Sequence, residues 1–203
     1  MTTNLLHPRW IVAVVVSLAV GALFIGVLLS SGGASAGEPD TSGQSATLFA
    51  RMARVLQSPR CMNCHTRTDF PRQGDDGHRH TLNVARGPND HGMAGLHCST
   101  CHRSANQAAS GVPGAPDWHL APLRMAWEGL SVPELCRVLL DPARGGMRPE
   151  QFVPHLETGL VRWAWAPGSD GQERPRSPPA LSHAEFIALT KQWLSTGAAG
   201  PNP

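Results

Sequence analysis

The chain has 203 residues and a formal charge of +2, from 17 basic and 15 acidic side chains, a balance that does not suggest nucleic acid as a partner. Gly and Pro, 21 and 18 in number, are frequent from residue 46 onward, and neither a strand alternation nor a repeat of domain length is visible there. Residues 46–203 amount to one domain's worth of chain, and a small, loop-rich, mainly helical domain is the expected class.

The first stretch concerns export. Residues 1–9 carry Arg9 and no acid, and Trp10 to Leu29 carries no charge. At 1.5 Å per residue such a run makes about 30 Å of helix, enough to cross a bilayer core. Residues 1–29 are therefore expected to form an N-terminal transmembrane anchor. The alternative is a signal peptide cleaved at Ala34-Ser35-Ala36, which would leave a soluble periplasmic protein. Arg9 precedes the run and Glu38 and Asp40 follow it, so the positive-inside rule puts the remainder of the chain outside the cytoplasm. Residues 30–45, rich in Ser and Gly, read as a flexible linker, and residues 46–203 as the periplasmic domain.

Thr47 to Leu56 sets Leu48, Phe49, Met52, Val55 and Leu56 at helical spacing and ends before Ser58-Pro59. Next come two pentapeptides of one form, Cys61-Met62-Asn63-Cys64-His65 and Cys98-Ser99-Thr100-Cys101-His102. C-x-x-C-H is the attachment signature of a c-type haem. Two thiols on one turn add to the two vinyl groups of a porphyrin, and the following His meets the iron from below. Two covalently bound haem c groups are expected, on Cys61, Cys64 and His65 and on Cys98, Cys101 and His102. A four-thiolate zinc site is the bland competitor. Residues 65–97 separate the two pairs, more than the roughly 15 to 20 of a zinc ribbon, and zinc gives no reason for a His after each pair. A pair of disulfides fits less well, because two-residue loops are strained. In bacteria haem is attached on the outer face of the membrane, the compartment that the charge pattern also indicates. Four propionates bring the formal charge to neutral or negative, which again leaves nucleic acid out.

Thr66 to His97, polar and Gly-rich, reads as a long loop folded over the first haem. After the second motif a turn-rich stretch, Val112 to His119, leads to Leu120-Ala121-Pro122-Leu123-Arg124-Met125-Ala126-Trp127. Three helices are expected beyond it. Ser131-Val132-Pro133-Glu134 is a capping box opening a helix to about Leu140. Pro149 to Glu157 is a short helix interrupted by Pro154. The last runs from His183 to Thr196 between Ser182 with Glu185 and Gly197. Cys136, the fifth cysteine, falls among Leu135, Val138 and Leu139 and reads as a buried small apolar residue. Trp118, Trp127, Trp163, Trp165 and Trp193 are expected against haem, and Arg86, Arg103 and Arg124 are candidate propionate partners.

The distal iron ligands decide the chemistry, and the candidates are His78, His80, His91, His97, His119, His155 and His183 with Met93, Met125 and Met147. His97 directly precedes Cys98, on the wrong side of its own haem but within reach of the other. His80 follows His65, and His119 follows His102, by enough chain to wrap a porphyrin edge. His80 is assigned to the first haem; His119 and Met125 share the second, with His155 behind them. A thioether ligand would give the higher potential.

The two motifs identify the chain as similar to the c-type cytochromes. Further words extend the likeness over nearly all of residues 46–199: Gln73-Gly74-Asp75-Asp76 before His78 and His80, Arg86-Gly87, Pro113-Gly114-Ala115-Pro116, Leu120-Ala121-Pro122 with Met125-Ala126-Trp127, and Trp163-Ala164-Trp165-Ala166-Pro167-Gly168. In these the chain resembles small bacterial di-haem proteins, some of them labelled as subunits associated with isoquinoline 1-oxidoreductase-type molybdenum hydroxylases. The resemblance implies an electron acceptor beside a dehydrogenase; no molybdopterin or flavin signature is present in this chain. The expectation is therefore a mainly α, loop-rich di-haem cytochrome c domain held on the periplasmic side of the inner membrane. It would relay single electrons from a dehydrogenase or another donor to the respiratory chain, as a carrier and not an enzyme. A di-haem peroxidase, which would need an open iron and an acid-base residue, is the rival, and a haem-based sensor acting through a partner is the third reading.

Overall fold

The computed structural model describes residues 40–145 and 147–203; the expected anchor, 1–29, and most of the expected linker lie outside them. Among the described residues no helix is long and apolar enough to cross a membrane. Helix α1, Thr41–Leu56, starts earlier than the sequence pattern indicates. The Asp40 carboxylate accepts from the Gly43 N–H at 2.9 Å and caps it. Thr41, Ser42 and Gly43 are poor helix formers, but one turn on, Ser45 is fully buried and accepts from the Ala199 N–H at 2.8 Å. Tertiary contact thus overrides propensity, and residues 41–45 of the expected linker belong to the helix.

The inner face of α1 buries Leu48, Phe49, Met52, Val55 and Leu56. It packs on α8, His183–Ser195, with the Phe49 and Trp193 rings 5.2 Å apart. The two capping boxes expected from sequence are formed. Ser131 opens α4, Val132–Leu140, its N–H donating to Glu134 at 2.7 Å, and Ser182 opens α8, its N–H donating to Glu185 at 2.8 Å. α4 adds Leu135, Val138 and Leu139 to the core, and Cys136 is buried beside them. Short α5, Pro142–Gly145, follows. The helix around Pro154 is observed as α6, Pro149–Leu156, which sends Phe152 to within 6.1 Å of Trp193. α7, Gly159–Arg162, runs directly into a 3-10 turn, Trp163–Trp165.

Between α1 and α4 regular structure is sparse. Both C-x-x-C-H pentapeptides open on a single helical turn, α2 at Pro59–Met62 and α3 at Cys98–Cys101. Pro at the start of α2 presets its backbone. The inter-motif segment holds two small antiparallel hairpins, β1 (Arg72–Gln73) with β2 (His78–Arg79), and β3 (Gly92–Met93) with β4 (Leu96–His97). The first hairpin turns through Gly74 and Gly77, at φ +76° and +64°, where a side chain would be strained. Buried Arg86 ties this region together: it donates to the Thr66 carbonyl at 3.1 Å, the Ala121 carbonyl at 2.5 Å and the Asp90 carboxylate at 2.7 Å. Its guanidinium is spent on structure.

Candidate functional site

Two cavities of about 300 and 330 Å³ open inside the domain, and each contains one C-x-x-C-H. The first is lined by Cys61, Cys64 and His65, the second by Cys98, Cys101 and His102. Cys64, Arg60, Trp118, His119 and Trp163 line both, so the cavities share a wall. The Trp118 and Trp163 rings meet edge to face in it, 4.8 Å apart.

The two motif histidines are held alike. The Nδ1–H of His65 donates to the Met125 carbonyl at 2.9 Å, and that of His102 to the Pro113 carbonyl at 2.7 Å. A carbonyl only accepts, so in each ring the proton sits on Nδ1 and the lone pair on Nε2. Metal-binding imidazoles are commonly fixed in this way by a backbone carbonyl. Burial lowers the His65 pKa to about 4, against the opposing pull of the Met125 carbonyl, and burial lowers that of His102 too. Both rings are neutral at pH 7. Trp127 stacks on His65 at 3.4 Å and Trp118 on His102 at 4.4 Å, which restricts ring rotation.

The cysteines are free thiols. Burial pushes Cys61 up to about 11 and Cys64 to about 12, and it raises Cys98 as well. Among the described residues the one group of three or more metal-ligand side chains whose atoms converge is His91, Asp117 and His119, which contains no cysteine. The four motif thiols thus do not form a common four-thiolate centre, which weighs against structural zinc.

Whether the cavities suit a haem is tested by their unpaired groups. Buried polar groups are nearly always partnered. Among the described residues, three buried side-chain nitrogens are not: Arg60 Nε, Arg72 Nε and Trp127 Nε1. All three belong to residues lining the cavities, Trp127 the first, Arg72 the second and Arg60 both. Apolar space with donor N–H groups at its border matches a porphyrin bearing propionates.

The remaining sequence assignments need several corrections. The segment 66–97 does not line the first cavity; Gly74, His80, Leu82 and Leu96 line the second. The cause is the pinning of its first hairpin: the Gly74 carbonyl accepts from Arg60 at 3.0 Å and from Asn63 at 2.8 Å. The hairpin is thus fastened to the first motif while its far end reaches the second. His80 follows it and lies across from His102, not His65, with ring centroids 5.9 Å apart. Met125 lines the first cavity and not the second, and its carbonyl stands on the Nδ1 side of His65, opposite the nitrogen that would bind iron. It is a positioning residue there. His119 borders both cavities, its Nδ1–H held by the Asp117 carbonyl at 2.5 Å, while His155 lines the first.

Other candidates fall away. His78 is exposed and paired with Asp76, His183 Nε2 is bonded to the Leu156 carbonyl, and Met93 is 49% exposed. Of the arginines named from sequence, only Arg124 lines either of these two cavities, the first. Sequence reading missed Arg60, although it directly precedes Cys61, and it missed Arg176, which lines the second cavity. All five expected tryptophans line the first cavity, and Trp118 and Trp163 line the second as well. In comparisons with known proteins the chain matches no family model, no curated protein and no solved structure.

Proposed function

We propose that this chain is a di-haem c-type cytochrome that relays single electrons, held on the periplasmic face of a bacterial inner membrane by its first 29 residues. The observation that carries the reading is the repetition of one arrangement: a cavity, a C-x-x-C on its wall, and a His whose Nδ1–H is occupied by a carbonyl. Haem iron, when bound, supplies a reversible one-electron change without bond making to a substrate. The chain's own residues do the rest. Cys61, Cys64, Cys98 and Cys101 would anchor the porphyrins by thioether links, and His65 and His102 would offer Nε2 to the irons. Arg60, Arg72 and Trp127 would offer donors to propionates, and the Trp118–Trp163 pair stands between the two sites. A shared wall also keeps the path between them short, as a relay requires. The dehydrogenase-associated role implied by the resemblance sets the expected partners, a dehydrogenase donor and a respiratory-chain acceptor.

The test is spectroscopy on protein matured in a host that attaches haem c. Two covalent haems per chain, low-spin spectra and reversible reduction without peroxide turnover are expected. A high-spin resting spectrum with peroxide consumption by a reduced donor would instead establish the peroxidase reading.

A further inference from the structure

The crossed placement of His80 carries an assignment beyond the haem count. We infer that His80 and His102 bind opposite faces of one iron, so that the segment between the motifs supplies the sixth ligand of the second haem. The inference rests on the reading of the second cavity as a haem site.

Three observations converge. First, both residues line the same cavity as Cys98 and Cys101. Second, two imidazoles on opposite sides of a metal, each at about 2.0 Å, have ring centroids roughly 6 Å apart; those of His80 and His102 are 5.9 Å apart. Their interplanar angle of 69° is no obstacle, since two rings that share one metal–nitrogen axis need not be parallel. Third, the His80 Nδ1–H donates to the Thr81 carbonyl at 2.7 Å, so its lone pair, like that of His102, is on Nε2. The ring is also positioned by more than its own turn. The His80 N–H donates to the Pro71 carbonyl at 3.0 Å, and Gln73 accepts from the Thr81 N–H at 3.1 Å, closing the hairpin base beneath it. Two other histidines line this cavity. His97 is exposed at the start of α3, and the His119 ring stacks on His91 at 4.8 Å.

The physical consequence is mutual dependence of the two motifs. The hairpin just before His80 hangs on Arg60 and Asn63 of the first pentapeptide region, so the ligand of one haem is held by the chain around the other.

The experiment uses the full chain matured with haem. In His80→Ala, intact mass should still show two haems, while electron paramagnetic resonance shows one of the two converted from low to high spin. In His80→Met, a near-infrared charge-transfer band of a thioether-bound ferric haem should appear, and one of the two reduction potentials should rise. His78→Ala, changed on the exposed face of the same hairpin, should do neither. A Cys98→Ala/Cys101→Ala chain keeps only the first haem, and adding His80→Ala to it should leave that haem's spectrum unchanged. Two haems with unaltered spin states and potentials in both His80 variants would overturn the inference, and so would a spectral change of the remaining haem in the combined variant. An unsubstituted chain carrying no covalent haem would instead overturn the di-haem reading itself.

Discussion

The two cavities are built from different material. The first is walled by helices: Met52 and Leu56 from α1, Leu139 from α4, Phe152 from α6 and Phe186 and Trp193 from α8. The second is walled by turns and hairpin ends, including Gly74, Val84, Gly111, Pro113 and Gly171, and its Cys101 is exposed. An apolar cavity inside a packed core is a stability question as much as a cofactor site, because the surrounding helices lose contacts if nothing fills it. A cavity bounded by loops is closed mostly by local hydrogen bonds. On the di-haem reading, a group in the first cavity would be part of the core, and one in the second an addition to it.

The sharpest way to break this contrast is to remove the thiols of each pair in turn. Cys61→Ala/Cys64→Ala should yield little folded protein, whereas Cys98→Ala/Cys101→Ala should fold with one covalent haem and near-native helix content by circular dichroism. Equal stability of the two variants would erase the distinction. Next, Trp193→Ala empties the junction of α1, α6 and α8, where the indole is 1% exposed. It should cost about 3 to 5 kcal/mol in denaturant unfolding. The absorption of the second haem should be unaffected so long as the chain remains folded.

A subtler difference concerns charge at the shared wall. Arg60 is 5% exposed and held by the Asp75 carboxylate at 2.5 Å, with its guanidinium 5.8 Å from the Trp163 ring. A cation near an iron favours the reduced form. Arg60→Gln should lower both potentials, by on the order of 60 mV, the equivalent of one tenfold change for a one-electron couple. A shift confined to one haem would show that the wall is not electrostatically common.

Glu128 fastens the chain just after the first motif, accepting from the Thr66 hydroxyl at 2.9 Å, the Arg67 N–H at 3.1 Å and Arg72 at 2.7 Å. Burial alone would raise its pKa, but these donors and the Arg72 charge leave it below the ordinary carboxylate value. Its folded-state pKa is therefore below the unfolded one. The stabilisation is present in full above the unfolded value and disappears as pH falls through the folded value. Glu128→Gln should destabilise by on the order of 1 to 2 kcal/mol at pH 7, and the difference from the parent should vanish on acidification below the carboxylate range. A pH-independent difference would mean that shape, not charge, is what Glu128 contributes. The smallest effect is expected at Cys136, a buried thiol that lines neither cavity. Cys136→Ala should leave the haem count and both potentials unchanged.

The helices and their caps were legible in the sequence because each rests on local rules: the Ser131 and Ser182 boxes and the spacing of Leu48, Phe49 and Met52 need no knowledge of distant chain. The start of α1 was not, since Ser45 is held by Ala199 at the other end of the domain. The two C-x-x-C-H words were legible because each is a local pattern, and the structure sets each on the wall of a cavity. The placement of His80 was not, because the sequence shows only chain distance. His80 is closer in sequence to His65, yet the Arg60 and Asn63 bonds to Gly74 send it to His102. Arg60 went unnoticed for a related reason: an arginine beside a cysteine carries no pattern, and its role is visible only in the orphaned Nε between two cavities.

The central claim is tested most directly by intact-mass and peptide-mass measurement of the full chain made in a host that matures c-type cytochromes. The account requires two haem additions, one on the peptide bearing Cys61 and Cys64 and one on that bearing Cys98 and Cys101. A bare polypeptide mass, or a zinc adduct in place of haem, would contradict it.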